Sequence, residues 1–221
     1  MRRIFEHLPS AIKHWTSTDP VMAKLAKATP PRSIDAARST GFATLVISLI
    51  HQQVSLAAGR SITRKVKAAC GGRLTPASVL ATSPAKFRAG GLSRQKRSYV
   101  LDLARRTQRG QVSFRRFPFQ TDDAVIEALT RVRGIGSWTA KMFLLAHLER
   151  PDVVAPEDLG LRLAAANAYG VPVEKAAAFL EQKRAAWRPY GSLACLTLWA
   201  HKDAPKSGHG SPVVSGRSTP V

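Results

Sequence analysis

Two glycines flank a single isoleucine at Gly134-Ile135-Gly136, between stretches whose apolar residues recur at helical spacing. Both glycines allow positive φ and carry no side chain to obstruct a close approach. The chain can therefore reverse tightly from one helix into the next, with Ile135 plugging the core between them. Backbone amides of Gly134, Gly136 and the first turn after Ser137 then open a helix N-terminus. Such a terminus attracts phosphate through unpaired N–H groups and the helix dipole. A lone Gly-x-Gly also describes an ordinary helix–helix turn. Here Trp138-Thr139-Ala140 follows at once, and a carboxylate, Asp158, lies twenty residues beyond Trp138.

Charge strengthens the nucleic-acid reading. Lys and Arg number 34 against 14 Asp and Glu in 221 residues, a formal net charge of +20. Such an excess favours a polyanion, because neutralising phosphates releases counterions. Two cysteines, Cys70 and Cys195, stand far apart and outside any CxxC pair, which excludes a zinc or iron–sulfur site built from cysteines. Their apolar surroundings predict buried free thiols in a reducing compartment. No apolar run reaches the length of a membrane span. Residues 1–7 lack the apolar core of a signal peptide. A monomer without a membrane is expected, cytoplasmic and nucleoid-associated, or nuclear in a eukaryote.

The patterning predicts an all-α chain of one domain or two small lobes. Phe42, Leu45, Val46, Leu49 and Ile50 form one helix face. Gln52 and Gln53 are expected exposed in the turn that follows, before Ser55 caps a helix carrying Leu56, Ile62 and Val66. Thr75-Pro76 and Ser83-Pro84 start two short helices. Ser93 opens a basic helix to about Arg109, with Tyr99, Val100 and Leu103 inward. Phe114 to Phe119 reads as an aromatic packing connector. Thr121 caps a helix bearing Val125, Leu129 and Val132. Ser137 is expected to cap the next one, with Trp138, Met142, Leu145 and Leu148 on one face. The expected organisation is a loose helical extension over 1–35, a core over 36–202 with its hairpin at 121–148, and a disordered basic tail over 203–221.

These residues resemble a family. Leu129-Thr130-Arg131-Val132-Arg133-Gly134-Ile135-Gly136-Ser137-Trp138-Thr139-Ala140 looks like the helix-hairpin-helix of the DNA glycosylase superfamily named for a hairpin, a Gly/Pro-rich loop and a later Asp. The alkylated-base branch, 3-methyladenine DNA glycosylase II, matches best. Residues 47–55, 152–161 and 187–194 supply three further motifs in the right order, and the resemblance covers about 36–202. It implies a two-lobed helical fold with its active-site cleft between the lobes, and double-stranded DNA containing damaged bases as partner. The larger bacterial relative carries an extra N-terminal β-containing lobe, for which about 35 residues are too few.

The resemblance also implies roles. An acid before a helix is most often a cap; the family makes the residue matching Asp158 the catalytic carboxylate. Near C1′ it would stabilise the positive charge that builds as the base leaves. Lyase-competent relatives such as endonuclease III carry lysine where this chain has Trp138, so hydrolysis without strand cleavage is implied. Lys141 is expected to point off the site and Glu157 to be solvated. Trp138 and Trp199 would wall a pocket for a cationic alkylpurine. Met142 stands where the bacterial relative has an aromatic residue, and Trp187 and Tyr190 either complete the wall or pack behind it.

Gly134, Ile135, Gly136, Ser137 and Thr139 would hold the DNA backbone. Gln53 would be the wedge that fills the gap left by a flipped base, with Gln52 and Val54 beside it. His51 is open between DNA contact and packing. Arg94, Lys96 and Arg97 suggest a phosphate-contacting surface. No cofactor is expected beyond a Na⁺ or K⁺ ion on the backbone carbonyls of Thr130, Val132 and Ile135. Two rivals remain: a glycosylase of this fold for oxidised or deaminated bases, and a non-catalytic DNA-binding protein.

Overall fold

The computed structural model describes residues 2–31 and 39–204, as thirteen α-helices, one 3₁₀ turn and no strand among the described residues. Helices pack as two groups. The first contains α4 (Gly41–His51), α5 (Leu56–Ala69), α6 (Pro76–Ala81), α7 (Pro84–Ala89), α8 (Arg94–Gln108), α9 (Asp122–Thr130) and α10 (Ser137–Ala146). The second contains α1 (Arg2–Glu6), α2 (Leu8–Thr18) and α3 (Pro20–Ala28) with α11 (Leu159–Tyr169), α12 (Ala176–Trp187) and α13 (Gly191–Lys202). The first three and last three helices thus build one lobe and the middle helices the other.

Local sequence accounts for the helix starts. Ser55, Thr75, Ser83, Ser93 and Thr121 each accept an N–H from their own first turn, and Thr75 with Ser78 forms a reciprocal capping box. In α4 the five apolar residues at helical spacing are all buried. Each such side chain contributes about 1.5–3 kcal/mol on leaving water, so α4 is held by its tertiary face. Phe114 and Phe117 pack edge-on with Phe143, while Phe119 is exposed.

Two expectations change. The N-terminal segment is three helices rather than one loose one, with Trp15 and Met22 fully buried and α2 and α3 packed on α12 and α13. A buried carboxylate fastens it. Asp19 accepts from Trp187 Nε1 and Tyr169 Oη, each at 2.9 Å, and pairs with Lys183 at 3.0 Å. Leu56, the first residue of α5, is exposed beside the tip after α4. Gly136, not Ser137, is the N-cap of α10, and no side chain caps it. The residues around the expected 35/36 boundary, and those from 205 onward in the expected tail, lie outside the described residues. No helix among the described residues is long and apolar enough to cross a membrane.

The crossing between lobes is stapled on both sides. Arg150 donates to the carbonyls of Phe117 (3.0 Å) and Gln120 (2.6 Å) and pairs with Asp122 in the first lobe. Its own carbonyl accepts from Ser192 Oγ of α13 at 2.6 Å, and that hydroxyl also receives Val153 N–H. Asp152 takes Gly191 N–H and pairs with Arg188. The strand-like run from 153 to 155 is thereby fixed against α13 just before Asp158. Ser192 is fully buried, which explains the small residues of the motif at 187–194.

Candidate active site

Asp158 sits where the lobes meet. It is the N-cap of α11, and its Oδ1 accepts Leu161 N–H at 2.6 Å. Trp199 Nε1, from α13, donates to the same oxygen at 3.0 Å. Trp138 Nε1, from α10 in the other lobe, donates to Oδ2 at 2.8 Å. Three of the carboxylate's roughly four lone-pair directions are occupied, leaving one on Oδ2. A residue larger than glycine at 160 would press on Asp158 Oδ1, at 3.1 Å from its Cβ. The acid is therefore held in one orientation by two aromatic side chains and a helix N-terminus. Trp138 is 40% exposed and Trp199 half-buried, so both indoles meet the surface at the carboxylate.

Glu157 is not free in solvent as expected. It accepts Ser137 Oγ–H at 3.0 Å and pairs with Lys141 at 2.9 Å. Burial alone would push its carboxyl upward, but the Lys141 ammonium, a backbone N–H and the Ser137 hydroxyl outweigh this and hold it below the usual range. Lys141 is thus occupied on Glu157, away from Asp158, and the start of α10 is tied to the Asp158 loop.

Of the two hairpin glycines only Gly134 takes a positive φ; Gly136 is extended at φ −94°. Gly134 takes φ +82° and presses on the Tyr99 ring, while Ile135 is buried between α9 and α10. Gly136 has open space around it. Arg133 N–H is accepted by Asp102 of α8 at 2.9 Å. With no side-chain cap on α10, its first-turn amides stay available at the surface.

Residues 46–189 match the family model described as the HhH-GPD superfamily base excision DNA repair protein. The chain belongs to this superfamily. A crystal structure of a Bacillus halodurans DNA-3-methyladenine glycosidase superimposes with a TM-score of 0.80 at 28% identity, covering 88% of this chain and 89% of that one. A DNA-3-methyladenine glycosylase of Saccharomyces cerevisiae is 38% identical over 54% of this chain and 44% of its own length. A Schizosaccharomyces pombe 3-methyladenine DNA glycosylase in complex with abasic DNA shares the fold, with a TM-score of 0.73 at 23% identity, covering 86% and 95%.

Within this HhH-GPD fold the residues singled out from the sequence divide. Asp158, Trp138 and Trp199 come together. Met142 is half-buried, one turn beyond Trp138 on α10. Tyr190 packs edge-on against His14 and Trp15 of α2, and Trp187 is fully buried with its indole N–H on Asp19. Thr139 is buried, leaving only its backbone for a ligand.

The tip after α4 divides too. Gln53 and Val54 are exposed, with Gln53 at φ +54°. Gln52 instead is half-buried and donates its amide to Gly134 O at 2.9 Å. His51 lies over Gly59, exchanges a hydrogen bond with Thr63 at 3.1 Å, and is pushed below the ordinary histidine range by burial. It is a packing residue between α4 and α5.

Lys96 is not part of a solvated basic face. It donates to the carbonyls of Ile50 (2.6 Å) and Gln52 (2.5 Å). The indole hydrogen bonds to Asp158 and the pairing of Glu157 have no local sequence signal, because their partners come from other helices.

Proposed function

We propose that this chain is a monofunctional DNA glycosylase that turns an alkylated purine, of the 3-methyladenine or 7-methylguanine type, out of duplex DNA. It then hydrolyses the N-glycosidic bond in base excision repair. The observation that carries this reading is the carboxylate of Asp158, fixed between Trp138 and Trp199 where the lobes meet. As the bond from C1′ to the base nitrogen breaks, its electron pair leaves with the base, which turns from cation to neutral. Positive charge develops on the deoxyribose, and Asp158 stabilises it. Water adds to C1′ and gives up a proton, for which Oδ2 has an open lone pair. A cationic purine is already a good leaving group and needs no separate acid.

The indoles serve twice. Their N–H groups orient the carboxylate, and their electron-rich rings attract a cationic base. Trp138 offers no amine for attack on C1′, and Lys141 is bound by Glu157, so strand cleavage is not expected.

Gln53 and Val54 fill the vacated stack while the hairpin amides hold a phosphate. A Na⁺ or K⁺ ion fits the hairpin: residues 130–136 surround an open concavity, and the donors would be the neutral carbonyls of Thr130, Val132 and Ile135. Val132 O accepts Ile135 N–H at 3.1 Å, which leaves its second lone pair for a cation. When bound, the ion would supply positive charge beside the phosphate. The protein works as a monomer, at the nucleoid or in the nucleus.

The test is base release from methylated duplex DNA, with strand integrity checked without alkali. Free 3-methyladenine or 7-methylguanine with intact strands is the expected result. Strand scission by the protein alone would overturn the hydrolytic reading, and release confined to oxidised or deaminated bases would overturn the substrate class.

A further inference from the structure

Helix α4 ends without a cap of its own kind. Its C-cap, Gln52, swings to ψ 132°, and Gln53 follows in the left-handed region that side chains rarely adopt. Carbonyls at the last turn of a helix need partners. Here one ammonium supplies two of them: Lys96 Nζ lies 2.6 Å from Ile50 O and 2.5 Å from Gln52 O. The same Gln52 carries its side chain to Gly134 O, at the crest of the hairpin. The next turns of α8 press Tyr99 beneath Gly134 and offer Asp102 to Arg133 N–H. One helix therefore holds two separate loops, the exposed tip at 53–54 and the glycine hairpin, in a fixed relation. On the far side of the tip, His51 braces α4 against α5.

From these contacts we infer that Lys96 is a positioning residue: it stands the Gln53-Val54 tip at a set distance from the hairpin, so that stack filling and phosphate grip act on DNA as one rigid device. This rests on the reading of that tip as the wedge. Alternatives for Lys96 fit less well. A phosphate-contacting lysine keeps its ammonium in water, whereas this one is half-buried, with burial pushing it below the ordinary lysine range and both short contacts spent on backbone oxygens. Arg94, on the same helix, is exposed and supplies the contrast.

The experiment uses the full chain and an uncleavable duplex containing a tetrahydrofuran abasic analogue with 2-aminopurine beside it, so that insertion of the tip is read by fluorescence without any base release. K96M keeps the length of the stem and removes the donors; R94Q removes one exposed charge. Loss of a charge-assisted hydrogen bond predicts insertion about tenfold slower in K96M. Binding to undamaged duplex should weaken no more than in R94Q, and K96R should recover part of the insertion rate. Wild-type insertion in K96M would overturn the proposal, as would equal losses of insertion in K96M and R94Q. Should K96M fail to fold, K96Q, which removes the charge but keeps a polar end, takes its place, and wild-type insertion there would overturn the proposal equally. Base release measured separately on methylated DNA reports on the glycosylase reading, so the two can fail independently.

Discussion

Trp138 donates its indole N–H to Asp158 at 2.8 Å, and this hydrogen bond crosses from one lobe to the other. Trp199 completes the arrangement from the second lobe. The orientation of the carboxylate therefore depends on how the lobes are seated, and the staple joining Arg150, upstream of Asp158, to Ser192 of α13 fixes that seating. Aromatic wall and acid form one unit, so a base that stacks on the indoles meets a carboxylate already aligned.

Exchanging either tryptophan for phenylalanine separates the two jobs, since the ring face survives and the donor does not. A hydrogen bond to a charged group is worth about 1.5–3 kcal/mol. Trp138→Phe and Trp199→Phe should each lower the single-turnover excision rate by about ten- to a hundredfold, with little change in affinity for abasic duplex. If affinity falls and the rate constant holds, the indoles act by stacking alone.

Asp158→Asn should reduce excision by about a hundredfold or more. It also turns an acceptor-only group into one with an N–H₂, which conflicts with at least one of the donors now aimed at it from Trp138, Trp199 and Leu161. Damaged-duplex binding, measured by fluorescence anisotropy, should persist. Retained excision would remove Asp158 from the mechanism.

Local signals are legible in the chain. Period and caps at Thr121, Ser93 and Ser55 are written in neighbouring residues, as is the turn at Gly134. The hairpin-to-Asp158 spacing carried the family resemblance. Side-chain partnerships across helices were not legible. Nothing near Glu157 announces Ser137 and Lys141, and nothing near Lys96 announces the end of α4. The burial of Trp15 and Met22 has no local signal, because their partners stand on helices more than a hundred residues later. The edge-on contacts of Tyr190 with His14 and Trp15 likewise have no local signal, since those residues stand on an N-terminal helix.

Asp19 offers a stability test remote from the site. It is 1% exposed; burial raises its carboxyl, but Trp187, Met22 N–H, Lys183 and Tyr169 outweigh this and lower it from 3.8. A depressed folded value means the stabilisation is complete above the unfolded one and is lost as pH falls through the folded one. The wild type should therefore lose stability below about pH 4, as followed by urea midpoints. Asp19→Asn should cost about 3 kcal/mol or more at neutral pH and show a flatter acid limb. An unchanged midpoint would mean that the N-terminal helices contribute little to the fold.

The two hairpin glycines should differ in stability, though not in binding, on the same substitution. A methyl group on Gly134 would sit 2.2 Å from Tyr99 Cδ2, and the residue is at φ +82°. Gly134→Ala should destabilise the protein by about 1–3 kcal/mol and, through the displaced hairpin, weaken DNA binding as well. At Gly136 the backbone is extended, at φ −94°, and nothing lies within 4 Å of the added carbon. The melting temperature of Gly136→Ala should therefore stay close to wild type. That carbon projects into the space a phosphate must enter to reach the amides of α10, so duplex affinity should fall roughly tenfold, about 1.4 kcal/mol. Paired thermal melts and binding titrations distinguish the cases. Should Gly136→Ala bind duplex DNA as tightly as wild type, the phosphate does not approach over that glycine, and the anchoring role would pass to other amides of the turn.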